Sequence, residues 1–427
     1  MEQRISFCHG GNTMRYVAIV DPYSSGQFLA AEFLSRGFNC LAIHSHSPLP
    51  SAYANSYYPD NFQAEFIAQG EALAPLLAAL GDYACAAVVA GTESGVTLAN
   101  RLAHALGLPS CDPDKIGMLR DKFQMQEQIR RDGLRAIGQL RATSVAQALA
   151  QAPSLDSQRI VVKPMSSCGT DGVSFCERPE QLQAAVERVL NQPNCLGQHN
   201  DAVLLQAYID GVEYVVDSVS LDGKHYVTNT SRYQKKAMNG SFVYEQEDFI
   251  HPSATHMQDL IDYAMKVLDS LGIRFGAAHM EIMLDRHGPV LIEVGARLHG
   301  AKAPRNAQLF ANVSQIDLLV DAAIDPQRFA LRTQRPPVYH KHSRAVSLIN
   351  GQRGTVTALP GKEWATTLAS YTTAFWNIAE GDSIEPTRGL FDSPGGIFLA
   401  HENAEALESD TRLIRKMEQE GKLWTVA

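Results

Sequence analysis

Two lysines stand where the local sequence would aim them at a phosphate group. Lys163 ends the apolar segment "IVVKP", and a lysine buried there is costly unless its ammonium meets an anion or reaches water. In the loop 166–173 that follows, Gly169 and Gly172 let backbone amides approach a phosphate, and the loop could close as a lid. Lys122 opens a predicted helix, whose dipole favours anions. Either lysine alone is more often a surface residue, so the phosphate-site prediction depends on the combination.

Two glutamates follow on neighbouring predicted strands. Strand alternation puts His279 and Glu281 on one face of the segment "HMEIMLD", and Glu293, Gly295 and Arg297 on one face of "LIEVGAR". Two buried carboxylates would repel each other without a cation between them, and oxygen ligands of this kind suit Mg²⁺. The alternative is that both glutamates are ion-pair partners of Arg297 or of another basic residue.

The elements that must position these residues begin with an alternating pattern. The strands "YVAIVDP", "NCLAIHS" and "ACAAVVAGT" alternate with helical segments over about a hundred residues, which predicts an open parallel sheet with helices on both faces. Ligands bind beyond the carboxyl ends of such strands, here at 21–26 and 90–95. A turn-and-cap role for these two segments competes with a substrate contact by Ser24, Ser25 or Glu93.

Composition limits the partners. The chain has 427 residues and a formal net charge of −9, so its surface repels nucleic acid, and a polyanionic ligand needs a local basic site. Its seven cysteines form no C-x-x-C pair, which is typical of reduced thiols in a cytoplasmic protein. No apolar run approaches the ~20 residues of a membrane helix. The first dozen residues lack a signal-peptide core and are predicted to be a short extension, 1–13, so we expect neither a nucleic-acid nor a membrane partner.

These residues together resemble the ATP-grasp superfamily. The resemblance is carried, from about Arg15 to Asp325, by Lys122, "VVKP" with its loop, "LLQAYIDGVEY", "HMEIML" and "LIEVGARLHG". Within the superfamily, "AGTESGVTLANRLAHALGLP" and "EVGARLHG" look most like the L-amino-acid ligases, which join two amino acids into a dipeptide. The resemblance also suggests a member that serves a dipeptide-antibiotic pathway.

The resemblance implies an α/β (α+β) ATP-grasp fold in four parts. These are an N-terminal open parallel α/β domain at 1–113, a small lid subdomain at 114–205, a large subdomain at 206–334 and a β-rich C-terminal unit at 335–427. It also implies ATP and Mg²⁺, with Mn²⁺ as an alternative ion, as cofactors. The expected partners are small molecules, namely amino acids and ATP, and a homodimer is left open.

Site residues carried over from the resemblance fall into four groups. Lys163 and Arg297 are implied as catalytic, with Arg297 gripping the substrate carboxylate or stabilising the tetrahedral intermediate. Glu281 and Glu293 would bind magnesium, and Glu213 the ribose hydroxyls. The residues implied to bind the rest of ATP are Lys122, Lys163, Ser166, Ser167, Gly169, Thr170, Gly172, Gln206, Ala207, Tyr208 and Ile209. Those implied to bind the substrate are His279, Gly295, Arg297 and Gly300, with His279 orienting Glu281 or lining the amino-acid pocket.

Two positions depart from the family pattern. Many relatives carry Asn, a further metal ligand, where this chain has Gly295, so a second magnesium is expected to take a water or to bind more weakly. Many relatives also carry Glu where this chain has Gln206, a change of little expected consequence because that contact is made by the backbone.

The implied reaction makes an acyl phosphate and then an amide, releasing ADP and phosphate. Because water would destroy the acyl phosphate, the site must close. The second candidate for a closing segment, after the loop 166–173, is 231–240. Its Arg232, Lys235 and Lys236 could reach phosphate, and the alternative is that the segment is a solvated hairpin tip. Arg344, in the C-terminal unit, could approach the substrate. Competing functions are a carboxylase acting on bicarbonate, a ligase with a different acyl donor, and a nucleotide-binding regulatory protein without turnover.

Overall fold

The computed structural model describes residues 14–49, 53, 56–70, 72–167, 169, 171–195, 197–238, 241–390 and 392–427. The predicted extension 1–13 and the predicted ATP contact Thr170 lie outside these residues. The five cysteines among the described residues carry free thiols. None of the described helices is both long and apolar enough to cross a membrane.

The N-terminal part is a four-stranded parallel sheet. Its elements are β1 (Tyr16–Val20), α1 (Leu29–Ser35), β2 (Asn39–His44), β3 (Ala64–Ile67), α2 (Ala74–Ala79), β4 (Cys85–Ala90) and α3 (Val96–Ala105). The strand order is β3-β2-β1-β4, and apolar side chains of α1 pack on one face while those of α2 and α3 pack on the other. The predicted open sheet is confirmed. The prediction missed β3, a four-residue edge strand without an apolar run.

A second sheet, which is antiparallel, contains the strand that ends beside Lys163. The elements in this part are α4 (Lys122–Arg131), β5 (Gln139–Ala142), α5 (Val145–Gln151), β6 (Ile160–Pro164), β7 (Ser174–Cys176), α6 (Pro179–Val189) and β8 (Val203–Ala207). The order is β5-β8-β6-β7, and α5 and α6 cover one face with apolar side chains. The proposed boundary between residues 205 and 206 falls within β8, whose Ala207 pairs with Ile160.

The largest sheet has eight strands and carries the glutamates. Five of its strands are β9 (Val212–Leu221), β10 (Lys224–Met238), β11 (Ser241–Ile250), β12 (Gly276–Asp285) and β13 (Gly288–Gly295). The helices of this region are α7 (Gln258–Ser270), α8 (Ala303–Ala307), α9 (Gln315–Ile324) and α10 (Pro326–Arg332). Helix α7 buries Leu260, Ala264 and Val267 against it. Helix α9 packs on the same face of the N-terminal sheet as α1, so the two sheets share one core.

The C-terminal residues extend this large sheet. They form β14 (His342–Ser347), β15 (Gly354–Ala358), α11 (Gly361–Ala365), β16 (Tyr371–Trp376), β17 (Ser383–Ile384), β18 (Gly395–His401), α12 (Ala404–Gln419) and β19 (Thr425–Val426). The eight-stranded order is β13-β12-β9-β10-β11-β14-β18-β16, while β17, β15 and β19 make a small separate sheet. The C-terminal unit is therefore β-rich, and three of its strands continue the sheet that holds the glutamates.

Candidate active site

A cavity of about 450 Å³ lies between the small antiparallel sheet and the large sheet. One wall carries Lys163 of β6 and Phe175 of β7, and the opposite wall carries Glu281 of β12 and Glu293 of β13. The short segment after β8 closes one end. The cavity thus faces both the predicted phosphate lysines and the predicted metal carboxylates.

Lys163 is a buried cation that no described residue pairs with. The residue is 6% exposed, and its ammonium makes no hydrogen bond or ion pair with any described residue. Burial lowers the pKa of Lys163 to about 8, although the nearby Glu293 carboxylate opposes this effect. Such an ammonium, facing a cavity, is suited to meet an anion supplied from outside the chain.

Lys122 is the first residue of α4, whose N-cap Asp121 accepts a hydrogen bond from the Gln124 backbone amide. Its Nζ lies 2.9 Å from Glu293 Oε2 and donates to the Ser167 carbonyl at 3.1 Å. Burial alone would lower the pKa of Lys122, but the Glu293 carboxylate outweighs burial and raises it. Lys122 therefore joins the lid loop to the glutamate wall and stays charged.

Glu281 and Glu293 pair directly across β12 and β13. Burial alone would raise the pKa of Glu281, but His279, Lys235 and Lys163 together hold it well below its usual range. Two facing carboxylates in a cavity with two lysines form an oxygen donor set that fits Mg²⁺ shared with phosphate oxygens.

Gly295 leaves room for an ion pair from another part of the fold. A Cβ at position 295 would lie 2.9 Å from Glu93 Oε2 and 3.0 Å from Arg297 Cζ. Arg297 Nε donates to that Glu93 oxygen at 3.0 Å, and Arg120 Nε lies 3.6 Å from the other oxygen. The space in which many relatives carry an Asn side chain is thus taken up by the Glu93–Arg297 pair. Sequence reasoning missed Arg120, whose only signal was its position two residues before Lys122.

The last two residues of β8 and the two residues after it line the cavity. Gln206, Ala207, Tyr208 and Ile209 all line it. Glu213 also lines the cavity, but Lys235 Nζ donates to both of its carboxylate oxygens, at 2.6 and 2.8 Å. Lys235 therefore lies inside the cavity rather than at a solvated hairpin tip.

His279 is buried behind Glu281. Its Nδ1 lies 2.8 Å from Asp217 Oδ1, and its Nε2 lies 3.7 Å from Glu281 Oε1. Burial alone would lower the pKa of His279, but Asp217 outweighs burial and raises it to about 9. Asp217 was not among the predicted site residues, although an aspartate in the apolar run "EYVVDSVS" was a signal of its importance.

The cavity does not gather every predicted residue. The described residues on the predicted list that line it are Lys122, Lys163, Ser167, Gly169, Gln206, Ala207, Tyr208, Ile209, Glu213, Glu281 and Glu293. Those outside its lining are Ser166, Gly172, His279, Gly295, Arg297 and Gly300. Arg344 is also outside the lining, because Asp248, Glu408 and Thr411 hold its guanidinium elsewhere. Arg232 pairs with Asp248 and likewise does not reach the cavity.

Comparison with known proteins gives matches along the chain. The ATP-grasp domain family matches residues 157–304. Dapdiamide A synthase of Enterobacter agglomerans is 30% identical over 411 residues, 95% of this chain and 96% of the synthase. Alanine–anticapsin ligase of Bacillus subtilis is 22% identical over 274 residues, 59% of this chain and 56% of the ligase. The crystal structure of an L-amino acid ligase from Bacillus licheniformis has a TM-score of 0.74 at 18% identity, covering 95% of this chain and 98% of that one.

Proposed function

The chain belongs to the ATP-grasp superfamily and, within it, to the L-amino-acid ligases, and we propose that its cavity joins two amino acids into a dipeptide. It is an ATP-dependent carboxylate–amine ligase that forms an amide bond. In the proposed reaction a donor carboxylate is activated as an acyl phosphate, an amine displaces the phosphate, and ADP and phosphate are released.

The observation that carries this proposal is the buried ammonium of Lys163, which has no hydrogen bond or ion pair with a described residue and lies in one cavity with Glu281 and Glu293. Phosphoryl transfer depends on positioning and on dispersal of negative charge on the transferring group. Lys163 and Lys122 would supply two positive charges to that group. Both lysines are positioned by strand and helix backbone rather than by flexible loops.

Glu281 and Glu293 would hold the magnesium ion, or manganese in its place. When bound, the ion neutralises phosphate charge at the reacting end of ATP. Lys122 also pairs with Glu293, so it would contact both the phosphates and a residue that holds the metal ion. Gly295 offers no further ligand, which supports the expectation that a second ion would complete its shell with water.

The remaining nucleotide contacts follow from the cavity wall. Backbone groups of Gln206 to Ile209 would recognise the adenine edge. Glu213 would bind the ribose hydroxyls, which would compete with Lys235 for its carboxylate. The loop that contains Ser167 and Gly169 would cover the phosphates, and Ser166, Thr170 and Gly172 would act through its conformation. Closure of this loop would exclude water from the acyl phosphate.

The charged group Glu93, Arg120 and Arg297 suits the head group of an amino acid. Arg297 lies four residues after Glu293 and would contact the donor carboxylate or the tetrahedral intermediate, while Glu93 offers a carboxylate to an ammonium. His279 would orient Glu281, and Gly295 and Gly300 would shape the pocket. An arginine–glutamate pair beside the reacting end supports an amino acid over bicarbonate, which has no ammonium.

The test is a phosphate-release screen with all pairs of amino acids, read by mass spectrometry. We expect ADP and phosphate only when an amino-acid carboxylate and an amine acceptor are both present, together with a new dipeptide mass. Glu293→Ala should abolish turnover while the fold survives. Turnover that depends on bicarbonate would select a carboxylase, and normal ADP binding without turnover on any pair would select a regulatory protein.

Several predictions about the whole protein stay open. The domain bounds, a homodimer, action in the cytoplasm and a place in a dipeptide-antibiotic pathway are predictions from the sequence. Small-molecule substrates are expected of every ATP-grasp enzyme, and the cavity is of a size that suits them.

A further inference from the structure

A buried carboxylate behind the cavity organises two imidazoles. Asp217, on β9, is 2% exposed and lies directly opposite His279 of β12. Its Oδ1 lies 2.8 Å from His279 Nδ1, and its Oδ2 lies 2.9 Å from His299 Nδ1. The Asn229 side-chain amide donates to Oδ2 at 3.1 Å. Because an ionised carboxylate only accepts hydrogen bonds, both imidazoles must present Nδ1–H to Asp217.

This arrangement determines which group the second ring nitrogen, Nε2, of each imidazole can contact. His279 Nε2 faces Glu281, a wall residue, whereas His299 Nε2 lies 3.0 Å from the Tyr233 hydroxyl. Since the Nδ1 proton of His299 is committed to Asp217, a neutral His299 offers its Nε2 lone pair, and Tyr233 donates to it. Tyr233 is also one of the residues that line the cavity, so this hydrogen-bonded chain extends from Asp217 to the cavity wall.

The proposed reaction needs a proton acceptor at this place. An amine that attacks an acyl phosphate acquires a positive charge on nitrogen, and the amide forms only when one N–H proton leaves. A closed site contains little water to take that proton. Among the described wall residues, Glu281 and Glu293 are assigned to the metal, and protein groups already donate to the Glu213 and Asp171 carboxylates. Tyr233 differs from the other wall residues in its hydrogen bond to a buried imidazole.

We propose that Tyr233 takes the proton of the acceptor amine and passes its own proton to His299, which Asp217 positions. The inference rests on the proposed ligase function. Tyr233 is the catalytic residue because it would touch the amine, and His299 and Asp217 are positioning residues.

The protons and electrons balance over the complete step. The amine lone pair forms the C–N bond, an N–H proton moves to Tyr233 Oη, and the Tyr233 proton moves to His299 Nε2. The tetrahedral intermediate then expels phosphate by breaking the carbonyl C–O bond. The imidazolium returns its proton through Tyr233 to the departing phosphate, which leaves as hydrogen phosphate.

Two carboxylates, a tyrosine hydroxyl and a second imidazole surround His299. Asp217 of β9 contacts it, Glu247 Oε1 of β11 lies 3.9 Å from its Nδ1, and Tyr233 of β10 is neutral. The stacked His279 ring of β12, with centroids 4.0 Å apart, opposes a positive charge on His299, because the pKa of His279 at about 9 keeps that ring protonated at neutral pH. The backbone amide of His299 donates to Gln315 Oε1 of α9 at 2.8 Å, which fixes the chain at this point.

The experiment compares two nucleophiles in one variant. Tyr233→Phe removes only the hydroxyl, and the acceptor amino acid should then form amide about 100-fold more slowly or worse. Hydroxylamine, a weakly basic nucleophile that needs less proton removal, should trap the acyl phosphate at nearly the wild-type rate. The KM for ATP should not change. His299→Asn keeps a donor near Asp217 but leaves nothing opposite Tyr233, so the same selective loss is expected.

Tyr244→Phe is the matched control, because Tyr244 lies against Tyr233 with ring centroids 5.0 Å apart and also lines the cavity. Any loss in that variant should affect both nucleophiles equally. Equal losses for both nucleophiles in Tyr233→Phe, or no loss with the amino acid, would overturn the inference. A wild-type protein that yields neither dipeptide nor hydroxamate would instead overturn the ligase proposal, so the two failures are distinguishable.

Discussion

Two buried cations of this chain lie in opposite surroundings. Lys163 and Arg344 are 6% and 7% exposed, so burial does not distinguish them. Arg344 donates to Asp248, to Thr411 at 3.0 Å and to Glu408 at 2.6 Å, and despite burial these partners raise its pKa. Lys163 has no such partner among the described residues, and burial lowers its pKa.

The contrast separates a structural cation from a binding cation. Arg344 fastens β14 to β11 and to α12, and all its interactions are present without a ligand. Lys163 lies beside a cavity, and the Glu293 carboxylate offsets only part of the cost of burying its charge. A bound anion would supply the missing ion-pair partner. Substitutions should therefore damage stability at one position and activity at the other.

The largest expected effect is at Lys163. Lys163→Met should lower kcat/KM for ATP by about 100- to 1000-fold, because the positively charged donor to the transferring phosphoryl group is lost. The melting temperature should not fall, since the Lys163 ammonium pairs with none of the residues that the structure describes. Lys224 is exposed, so Lys224→Met is the control and should keep the wild-type turnover rate. A strongly destabilised Lys163→Met, or one with wild-type turnover, would show that Lys163 is a structural cation after all.

The opposite pattern is expected at Arg344. Arg344→Met leaves the Asp248 carboxylate without a principal partner and should lower the free energy of unfolding by about 3–5 kcal/mol, measured by urea denaturation. At temperatures where the variant is folded, ADP affinity should equal that of the wild type. A stable variant with weakened nucleotide binding would contradict the distinction drawn between the two cations.

A smaller effect is expected at Gly295, which borders the binding region. Gly295→Asn places a Cβ within 2.9 Å of Glu93 Oε2, so the Glu93–Arg297 pair must move. We expect kcat/KM for the amino acids to fall about 10- to 100-fold, in line with the 1–3 kcal/mol that overpacking costs. ADP affinity should hold. Gly351→Asn, where an added Cβ meets nothing within 4 Å, is the control. Higher activity with tighter magnesium binding would mean that Asn acts there as a metal ligand.

The smallest effect concerns pH. Because the pKa of Lys163 is about 8 in the free protein, the ammonium is charged below that pH and neutral above it, whereas Lys122 stays charged. Metal-free ADP should therefore bind about 10-fold more weakly at pH 9 than at pH 7, as expected for the loss of one charged hydrogen bond. Calorimetric titration checks this. Lys163→Arg, always charged, should remove the pH dependence.

Much of the fold could be predicted because its elements carry local patterns. The alternation of buried strands and helices indicated the parallel sheet, and the neighbouring predicted strands "HMEIMLD" and "LIEVGAR" indicated the pairing that sets Glu281 opposite Glu293. The joining of β14 to β11 was not predictable, since nothing near either strand specifies a partner about a hundred residues away. The edge strand β3 has only four residues, too few to show a strand pattern in the sequence.

The site was predictable only where chemistry and local geometry coincide. Lys163 and the two glutamates are conspicuous as charges within apolar strands. Arg120, Asp217 and His299 gain their meaning from contacts over long sequence separations, such as Asp217 with His299, and one chain alone does not reveal these. Arg344 shows the converse error, because a buried cation in the sequence does not disclose whether its partner is a protein carboxylate or a ligand.

The most direct test of the central claim follows the oxygen atoms of the donor. A donor amino acid labelled with ¹⁸O in its carboxylate is incubated with ATP, magnesium and an acceptor found in the screen, and the released phosphate is analysed by mass spectrometry. Attack of the carboxylate on the γ-phosphorus beside Lys163 predicts one ¹⁸O atom in each phosphate and the other in the dipeptide. Unlabelled phosphate, or label in AMP, would contradict the account.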